Sequence, residues 1–318
     1  MFRAILSLAI VISSVWTIHA AAGGPYDHKR VLHIDSYHQG NEWNDRIAQA
    51  VRDTLADTGI ELKVIHLDAK RKSTEEQKRA SALEAKSVIE SFRPDVVTAS
   101  DDDAAKYVIM PYYRDLGLPF VFCGLNWDAS VYGLPSSNVT GMVEVSPIPQ
   151  IIRLLHRYGQ GDRIGYLAED TETKRKEVEY HKKLFNIEYD KIYLVRTFSQ
   201  WKQAFLDAQS NVDILVMFGV GAVTDWDDKA AQDWAEQHTA IPAGTDFAWL
   251  MPYSLLGIAK VPEEQGRWAA RAALKILDGA PPGKIPLSYN QEGNLFFNKT
   301  IAARLGIKAP PPLAQLVP

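Results

Sequence analysis

The chain has 318 residues, of which 46% are hydrophobic and 23% are charged, and its formal net charge is −4 at pH 7. This length has room for two domains, and the composition is that of a globular protein rather than a disordered one. Acidic and basic residues are well mixed, which excludes a basic footprint for nucleic acid and a polybasic patch for membranes.

Residues 1–22 have the pattern of a secretory signal peptide. The basic start MFR precedes the apolar run AILSLAIVISSVWTI, and Ala20 and Ala22 then stand in an A-x-A cleavage arrangement. The run is too short to cross a bilayer comfortably, and a retained anchor helix is the alternative. We therefore predict an exported protein that loses this segment.

From residue 31, short β-rich runs alternate with helical ones. The first helical run contains Ile47, Val51 and Leu55 at intervals of four residues, and Ser73 and Glu76 have the spacing of a capping box at the start of the second. The predicted strands of this first series are RVLHID, LKVIHLD, PDVVTAS and LPFVFCG.

The last of these strands holds Cys123, which is the only cysteine, so the chain cannot form an internal disulfide. The flanking residues are apolar, and they favour a buried, inert thiol over a reactive one. An exported protein of this kind must rely on its core for stability.

After the turn-rich stretch LNWDASVYGLPSSNVTGMVEV, the alternation resumes. The helix SPIPQIIRLLHRYG is predicted to have Ser146 as its N-cap. The predicted strands that follow are RIGYLAE, KIYLVRTF, VDILVMFG and IPAGTD, and the run SLLGIAKV and the long helix PEEQGRWAARAALKILDG come after them. Strands separated by helices indicate parallel sheets, so the sequence predicts an α/β fold with two similar lobes.

Candidate site residues are those that directly follow the strands, because ligands of open parallel sheets bind beyond the carboxyl ends of the strands. These segments combine small or hydroxyl residues with acids, amides and aromatics, which is the composition of a small-molecule pocket. They are DSYHQGNEW, SDDDA, GLNWD, EDTETKR, GVGAVTDW and GTDFAW.

Three adjacent aspartates, residues 101–103, follow the strand VVTAS. The N–H groups and the dipole at a helix start offset such charges by about 0.3–1 kcal/mol each, which accounts for two of the three without any function. The third favours a clamp for a cationic or hydroxylated group. We assign this clamp to Asp101 and Asp102 rather than to Asp103.

Other chemistries have less support in the sequence. There is no EF-hand-like alternation, no H-x-x-x-H or C-x-x-C pair and no G-x-S-x-G elbow. GVGAV lacks the lysine of a phosphate loop, which favours a tight turn at Gly219 and Gly221. Lys174 or Arg175 could reach a ligand carboxylate only if their helix begins at the cleft. Trp127 could either contact the ligand in the pocket or pack in the core or between the lobes. The same two alternatives apply to Trp43, for which ligand contact is less favoured.

Several of these segments together resemble the periplasmic substrate-binding proteins of ABC transporters. The resemblance extends over about residues 30–308, and its strongest blocks are NVTGM and LLGIAKVPEEQG. It is closest to the branch related to tryptophan/tyrosine-type binding components, which has the type I periplasmic-binding fold.

The resemblance implies two Rossmann-like lobes, residues 28–143 plus 253–284 and residues 144–252 plus 285–318, with a ligand cleft between them. It places the crossovers near 141–146, 249–254 and 283–288. It also implies that the ligand-binding residues are Ser36, Tyr37, Asp101, Asp102, Asn126, Trp127, Thr171, Gly219, Thr245 and Asp246.

The implied function is capture of a small polar or aromatic molecule in the periplasm and its delivery to an ABC permease with its ATPase in the inner membrane. We expect a monomer that uses no cofactor or metal, catalyses no reaction and binds no nucleic acid.

The acidic triplet argues against a simple transfer of amino-acid specificity. The first alternative is a ligand-sensing subunit that acts on a sensor kinase or receptor. The second is an exported metal-dependent hydrolase that uses the acids at 101–103.

Overall fold

The structure is a computed structural model that describes residues 24–72 and 74–318. The predicted signal peptide and Ser73 lie outside the described residues. Within the described part of the chain, no helix is both long enough and apolar enough to span a membrane.

Thirteen strands are present in the described residues. They are β1 (Arg30–Asp35), β2 (Glu61–His66), β3 (Val96–Ser100), β4 (Phe120–Asn126), β5 (Val139–Glu144), β6 (Ile164–Glu169), β7 (Lys191–Val195), β8 (Ile214–Met217), β9 (Ala243–Thr245), β10 (Leu256–Lys260), β11 (Ser288–Tyr289), β12 (Gly293–Asn298) and β13 (Gln315–Val317).

Ten α-helical segments join these strands, and a π-helical turn, Ala105–Ile109, separates the third from the fourth. The helices are α1 (Glu42–Leu55), α2 (Glu75–Phe92), α3 (Asp101–Ala104), α4 (Met110–Tyr112), α5 (Ile148–Leu155), α6 (Glu172–Phe185), α7 (Phe198–Asn211), α8 (Asp228–His238), α9 (Pro262–Leu277) and α10 (Lys299–Arg304).

The strands form two sheets, one in each lobe. The first sheet is entirely parallel and has the order β11-β5-β4-β3-β1-β2. The second has the order β13-β12-β10-β9-β8-β6-β7, and β12 runs antiparallel to β10 while the other pairs are parallel. The predicted α/β architecture with two parallel-dominated sheets is confirmed.

Each sheet is covered by helices on its faces, as parallel sheets require. Leu32 and Ile34 of β1 and Phe120 of β4 are buried in the core of the first lobe. In the second lobe, Trp201 of α7 and Tyr166 of β6 lie in separate buried clusters of apolar residues. The single cysteine, Cys123, is buried beside α9, and burial raises the pKa of its thiol.

The chain passes between the sheets three times, after β5, after β10 and after β11. The first passage follows Glu144, within the predicted crossover at 141–146. The other two come later than predicted, because β10 pairs with β9 and β12 in the second sheet and β11 pairs with β5 in the first. Residues 256–260 therefore belong with the second sheet and residues 288–289 with the first, whereas the predicted lobe boundaries placed them the other way round.

Two predicted helix starts differ in detail from those in the structure. The capping box of α2 is formed by Thr74 and Gln77, one residue after the predicted pair. Helix α5 begins at Ile148 with Pro147 as its N-cap, not Ser146. The Ser146 hydroxyl instead donates to Asp246 Oδ2 at 2.5 Å.

Candidate functional site

A cavity of about 700 Å³ lies between the two lobes. The first lobe contributes the carboxyl ends of β1, β4 and β5, the start of α3 and the first turns of α1, and the second contributes the loop after β9 and the end of β10. This volume is within the usual range of small-molecule sites. The lining residues are Tyr37, Asn41, Glu42, Trp43, Arg46, Asp101, Asn126, Glu144, Asp246, Phe247, Ala248, Trp249, Ala259 and Lys260.

Asp101 is held at the cavity by Lys70, a residue that the sequence analysis did not select. Lys70 Nζ lies 3.1 Å from Asp101 Oδ1 and 3.0 Å from Asp103 Oδ2, and it also lies over the ring of Tyr37 at 5.2 Å. Burial raises the pKa of Asp101 to about 6, although the charge of Lys70 opposes this shift. Burial in turn disfavours the charge on Lys70, but Asp101 and Asp103 raise its pKa above the ordinary value. The aspartate triplet is thus tolerated through a partly buried ion-pair network as well as through a helix start.

Asp102 contacts a wall of the cavity but does not line it. Its Oδ2 accepts a hydrogen bond from Asn126 Nδ2 at 2.6 Å, and its Oδ1 accepts one from the Tyr132 hydroxyl at 3.0 Å. Asn126 itself lines the cavity at the end of β4. In this structure Asp102 positions a lining residue, whereas the prediction gave it a direct contact with the ligand.

Glu144 and Lys260 form an ion pair that joins the ends of β5 and β10 across the two lobes. Lys260 Nζ lies 2.6 Å from Glu144 Oε1, and both side chains are largely buried. The ammonium also lies 5.7 Å from the ring centroid of Trp43. Burial disfavours the charge on Lys260, but Glu144 and Asp246 hold its pKa above the ordinary value. Sequence reasoning missed this pair, and the only available signal was that both residues are charged and end a strand.

Asp246 is a buried carboxylate that forms no ion pair with any of the described residues, although it interacts with the charge of Lys260 at longer range. It is 2% exposed, its Oδ2 accepts from the Ser146 hydroxyl, and its Oδ1 has no hydrogen-bond partner. It belongs to the cavity lining, in the segment that follows β9. An oxygen in this position is an acceptor that a donor from a bound molecule could satisfy.

Aromatic rings from both lobes contribute to the cavity walls. Tyr37 and Trp43 come from the first lobe, and Phe247 and Trp249 come from the second. The latter two rings stack with centroids 4.2 Å apart, and the Trp249 side chain remains 63% exposed at the rim. Flat faces with a few charged groups suit a small organic molecule.

Two predicted ligand contacts, Ser36 and Thr245, are buried and use their hydroxyl groups within the protein. The Ser36 hydroxyl donates to Ser100 O at 2.6 Å and accepts from Ala104 N at 2.8 Å. Thr245 Oγ1 accepts from Phe247 N at 3.2 Å. These bonds satisfy backbone groups where the chain turns out of β3 and β9, and neither residue lines the cavity.

Thr171 and Gly219 also lie outside the cavity lining. Thr171 is the N-cap of α6, and Gly219 O accepts a hydrogen bond from Glu169 N at 3.0 Å. In the first turn of α6, the Lys174 ammonium is buried and lies 2.8 Å from Glu177 Oε2, while Arg175 pairs with Asp170. Lys174 and Arg175 are therefore engaged in ion pairs within the second lobe.

Trp127, the remaining predicted contact, lies between the lobes rather than in the cavity. Its φ is +61°, and its ring stacks on Tyr180 of α6 with centroids 5.9 Å apart and an interplanar angle of 4°. The edge of the ring also meets His181 at 5.2 Å. Burial lowers the pKa of His181 to about 3, so this imidazole is neutral where it packs.

Of the ten predicted ligand-binding residues, four line the cavity: Tyr37, Asp101, Asn126 and Asp246. Among residues 24–72 and 74–318, no group of three or more His, Cys, Asp or Glu side chains is placed to hold a metal ion.

Residues 41–316 of the chain match the family model described as ABC transporter substrate binding protein. No curated protein sequence matches the chain. Among solved structures, a ligand-free, open substrate-binding protein with adhesive properties from Clostridium difficile superposes with a TM-score of 0.69 at 14% identity, over 91% of this chain and 99% of the other.

Two further solved structures are similar at lower TM-scores. An ABC domain in complex with L-Trp from Streptococcus pneumonia has a TM-score of 0.54 at 16% identity and covers 91% of this chain and 99% of the other. A periplasmic ribose ABC transporter protein from Conexibacter woesei has a TM-score of 0.55 at 16% identity, over 90% of this chain and 97% of the other. At these identities the likeness shows the fold, which is the predicted type I periplasmic-binding fold with two lobes.

Proposed function

Because the chain belongs to the family of ABC transporter substrate-binding proteins, we propose that it captures a small polar or aromatic solute between its lobes and delivers it to an ABC permease. The cavity of about 700 Å³ with walls from both lobes is the observation that carries this proposal. The L-Trp complex and the ribose transporter protein with similar folds are consistent with a small ligand in such a cleft.

Capture would operate through the division of the site between the lobes. Tyr37 and Asp101 belong to the first lobe, and Asp246 and Phe247 belong to the second, so a solute that contacts both sets favours the closed arrangement. A ligand stabilises that arrangement only by as much as it prefers it over the open one. Capture of this kind breaks no bond, and we propose that the protein is not an enzyme.

The location and the partners follow from the same proposal. The signal-peptide pattern at residues 1–22 supports export to the periplasm, where the protein would act as a monomer. Its partners would be an ABC permease and the ATPase that drives it in the inner membrane. Delivery requires that the permease distinguish the loaded, closed lobes from the open ones.

Native mass spectrometry of the protein purified from its own host tests the proposal directly. We expect a small molecule that stays bound under native conditions and is released on denaturation. The purified protein should leave this molecule chemically unchanged over hours. Conversion of the bound molecule to a product would contradict the proposal, and so would the failure of every compound in a broad metabolite panel to bind.

The Trp249→Ala variant tests whether the solute contacts this cavity. Trp249 is 63% exposed at the rim, so its loss should leave the melting temperature nearly unchanged and weaken solute binding about tenfold, because a stacking surface is removed. Isothermal titration calorimetry measures the affinity. Leu116→Ala, at a position that is 57% exposed and outside the cavity lining, is the control and should bind normally.

A further inference from the structure

We infer that the solute carries a positive charge, as a protonated amine does, and lacks a carboxylate, so that amines bind better than the corresponding α-amino acids. This inference rests on the proposed function and specifies the chemical class of the ligand. It depends on which charges in the cavity walls are already paired within the protein.

The cavity walls carry more acids than bases. Arg46 and Lys260 are the only Lys or Arg side chains among the described lining residues. The carboxylates in the same lining are Glu42, Asp101, Glu144 and Asp246. A surplus of negative charge around a partly dry cavity attracts cations and repels anions.

Both lining cations are already paired with protein carboxylates. Arg46 makes two hydrogen bonds to Glu263, with Nε–Oε1 at 2.7 Å and Nη2–Oε2 at 2.9 Å. Lys260 is paired with Glu144 at 2.6 Å and lies over Trp43. A ligand carboxylate would compete with Glu263 for the half-exposed Arg46, and at Lys260 it would have to displace Glu144. Glu144 is largely buried, and a buried charge that loses its partner is costly.

The lining acids differ from one another in their pairing. Asp101 is paired with Lys70 and Glu144 with Lys260, whereas Asp246 receives only the Ser146 hydroxyl. The second Asp246 oxygen is buried and has no partner in the described structure. Lys260 acts on Asp246 only at longer range, through its charge. A cationic donor in the cavity would add the direct, charged hydrogen bond that the second oxygen lacks.

The aromatic walls favour the same ligand charge. Tyr37, Trp43, Phe247 and Trp249 line the same cavity as the acids, and the faces of such rings attract cations. Two of these rings already lie near ammonium groups of the protein, Tyr37 beneath Lys70 and Trp43 beneath Lys260. The Phe247 ring lies 5.4 Å from a third ammonium, that of Lys174. No ammonium or guanidinium among the described residues lies over the exposed Trp249 ring.

The test compares matched pairs of compounds that differ only in the carboxylate. Ligand-stripped protein is titrated calorimetrically with tryptamine and L-tryptophan, tyramine and L-tyrosine, phenethylamine and L-phenylalanine, and cadaverine and L-lysine. We expect at least one amine to bind at least about tenfold more tightly than its amino acid. Only the amino acid carries a carboxylate, which the lining acids repel and which must compete with Glu263 or Glu144 for a cation. Amino acids that bind as tightly as their amines, or more tightly, overturn the inference and leave solute capture intact.

The Asp246→Asn variant assigns the effect to the unpaired carboxylate. It keeps the shape and an acceptor for Ser146 but removes the charge, so the affinity for the preferred amine should fall at least about tenfold. Asp233→Asn, a half-exposed acid on α8 in the same lobe, is the control and should bind like the wild type.

The pairwise comparison on the wild-type protein remains decisive even if Asp246→Asn fails to fold. Equal amine affinity in Asp246→Asn and the wild type would overturn the role of Asp246. If sugars or polyols bind while no amine does, the inference falls and the proposed function stands. If no solute of any class binds, both fall.

Discussion

At Asp101, burial and ion pairing act in opposite directions on the same carboxylate. The residue has φ +71°, lines the cavity and lies 3.1 Å from the Lys70 ammonium. Its pKa is nevertheless raised from 3.8 to about 6, because burial disfavours the charged form more than Lys70 favours it. A carboxyl group whose pKa is strongly shifted by burial, at a cost to folding stability, is typical of functional sites.

This shift predicts a specific pH dependence of stability. A carboxyl group with a raised folded-state pKa stabilises the fold below pH 3.8, and that contribution is lost as the pH rises through about 6. Between pH 4 and 7 the unfolding free energy of the wild type should fall by about 2 kcal/mol relative to Asp101→Asn, which cannot titrate. Urea unfolding at both pH values measures this difference, and a constant difference across the range would refute the raised pKa.

The residue scale also shows what the sequence could not reveal about the aspartate triplet. A helix start at the strand end was predictable from VVTASDDDA, and Asp101–Asp103 do occupy the first turn. The role of Lys70 was not predictable, because it follows β2, and only the folded sheet brings the end of β2 beside that of β1 and near β3. The Glu144–Lys260 pair was hidden for a different reason, because β5 and β10 belong to different sheets and only the contact between the lobes brings their ends together.

At the scale of single elements, the packing of α9 against α1 fixes one wall of the first lobe. Gly266 lies where the two helices meet, and a Cβ there would be 2.2 Å from Ile47 O and 2.9 Å from Ala50 Cβ. The side chains of Ala269, Ala270 and neighbouring alanines of α9 are also buried. Small side chains thus let the two helix backbones approach closely.

Gly266→Ala should therefore destabilise the protein by about 1–3 kcal/mol, despite the higher helix propensity of alanine, because the clash involves backbone that cannot rotate away. Denaturant unfolding measures the loss. Gly117→Ala is the matched control, since a Cβ at Gly117 meets nothing within 4 Å, and it should be neutral or slightly stabilising. Equal stability of the two variants would contradict the close packing of α9 against α1 at Gly266.

The elements themselves were largely predictable, but their assignment to the two sheets was not. The alternation of β-rich and helical runs gave the strands of both lobes, because βαβ units repeat a local pattern. The sequence predicts a β-rich run at SLLGIAKV, but its residue pattern does not indicate that β10 pairs with β9 in the second sheet. The rule that ligands bind at strand ends correctly predicted Tyr37, Asn126 and Asp246 as lining residues. The same rule wrongly selected residues such as Ser36, whose hydroxyl only bonds to backbone groups at the turn.

At the scale of the whole molecule, contacts in two separate places hold the two lobes against each other. Trp127 of the first lobe packs on Tyr180 and His181 of α6, and the neighbouring Asp128 pairs with Lys183 at 2.6 Å. The Glu144–Lys260 pair joins the last residues of β5 and β10, and the chain passes to the other lobe after each of these strands. The arrangement of the lobes therefore depends on contacts that a ligand does not need to supply.

Trp127→Ala should shift the lobes toward a more open arrangement without strongly weakening the fold of either lobe. Loss of the ring stacking should change the closed-to-open equilibrium by about 1 kcal/mol, or roughly fivefold. Small-angle scattering of the ligand-free protein should then show a larger radius of gyration. Lys182→Ala, on the same helix, removes only an exposed ion pair with Glu188 within the second lobe and should leave the scattering curve unchanged.

The three passages of the chain between the sheets also constrain the order in which the protein can assemble. Helix α9 and the edge strand β11 complete the first lobe only after all of β6 to β10 has been made. During synthesis, the surface of α1 that α9 will cover stays open while most of the other lobe emerges. Neither half can therefore be excised as one continuous fragment, and a cut anywhere between residues 145 and 260 would leave α9 and β11 on a separate piece from the strands they cover.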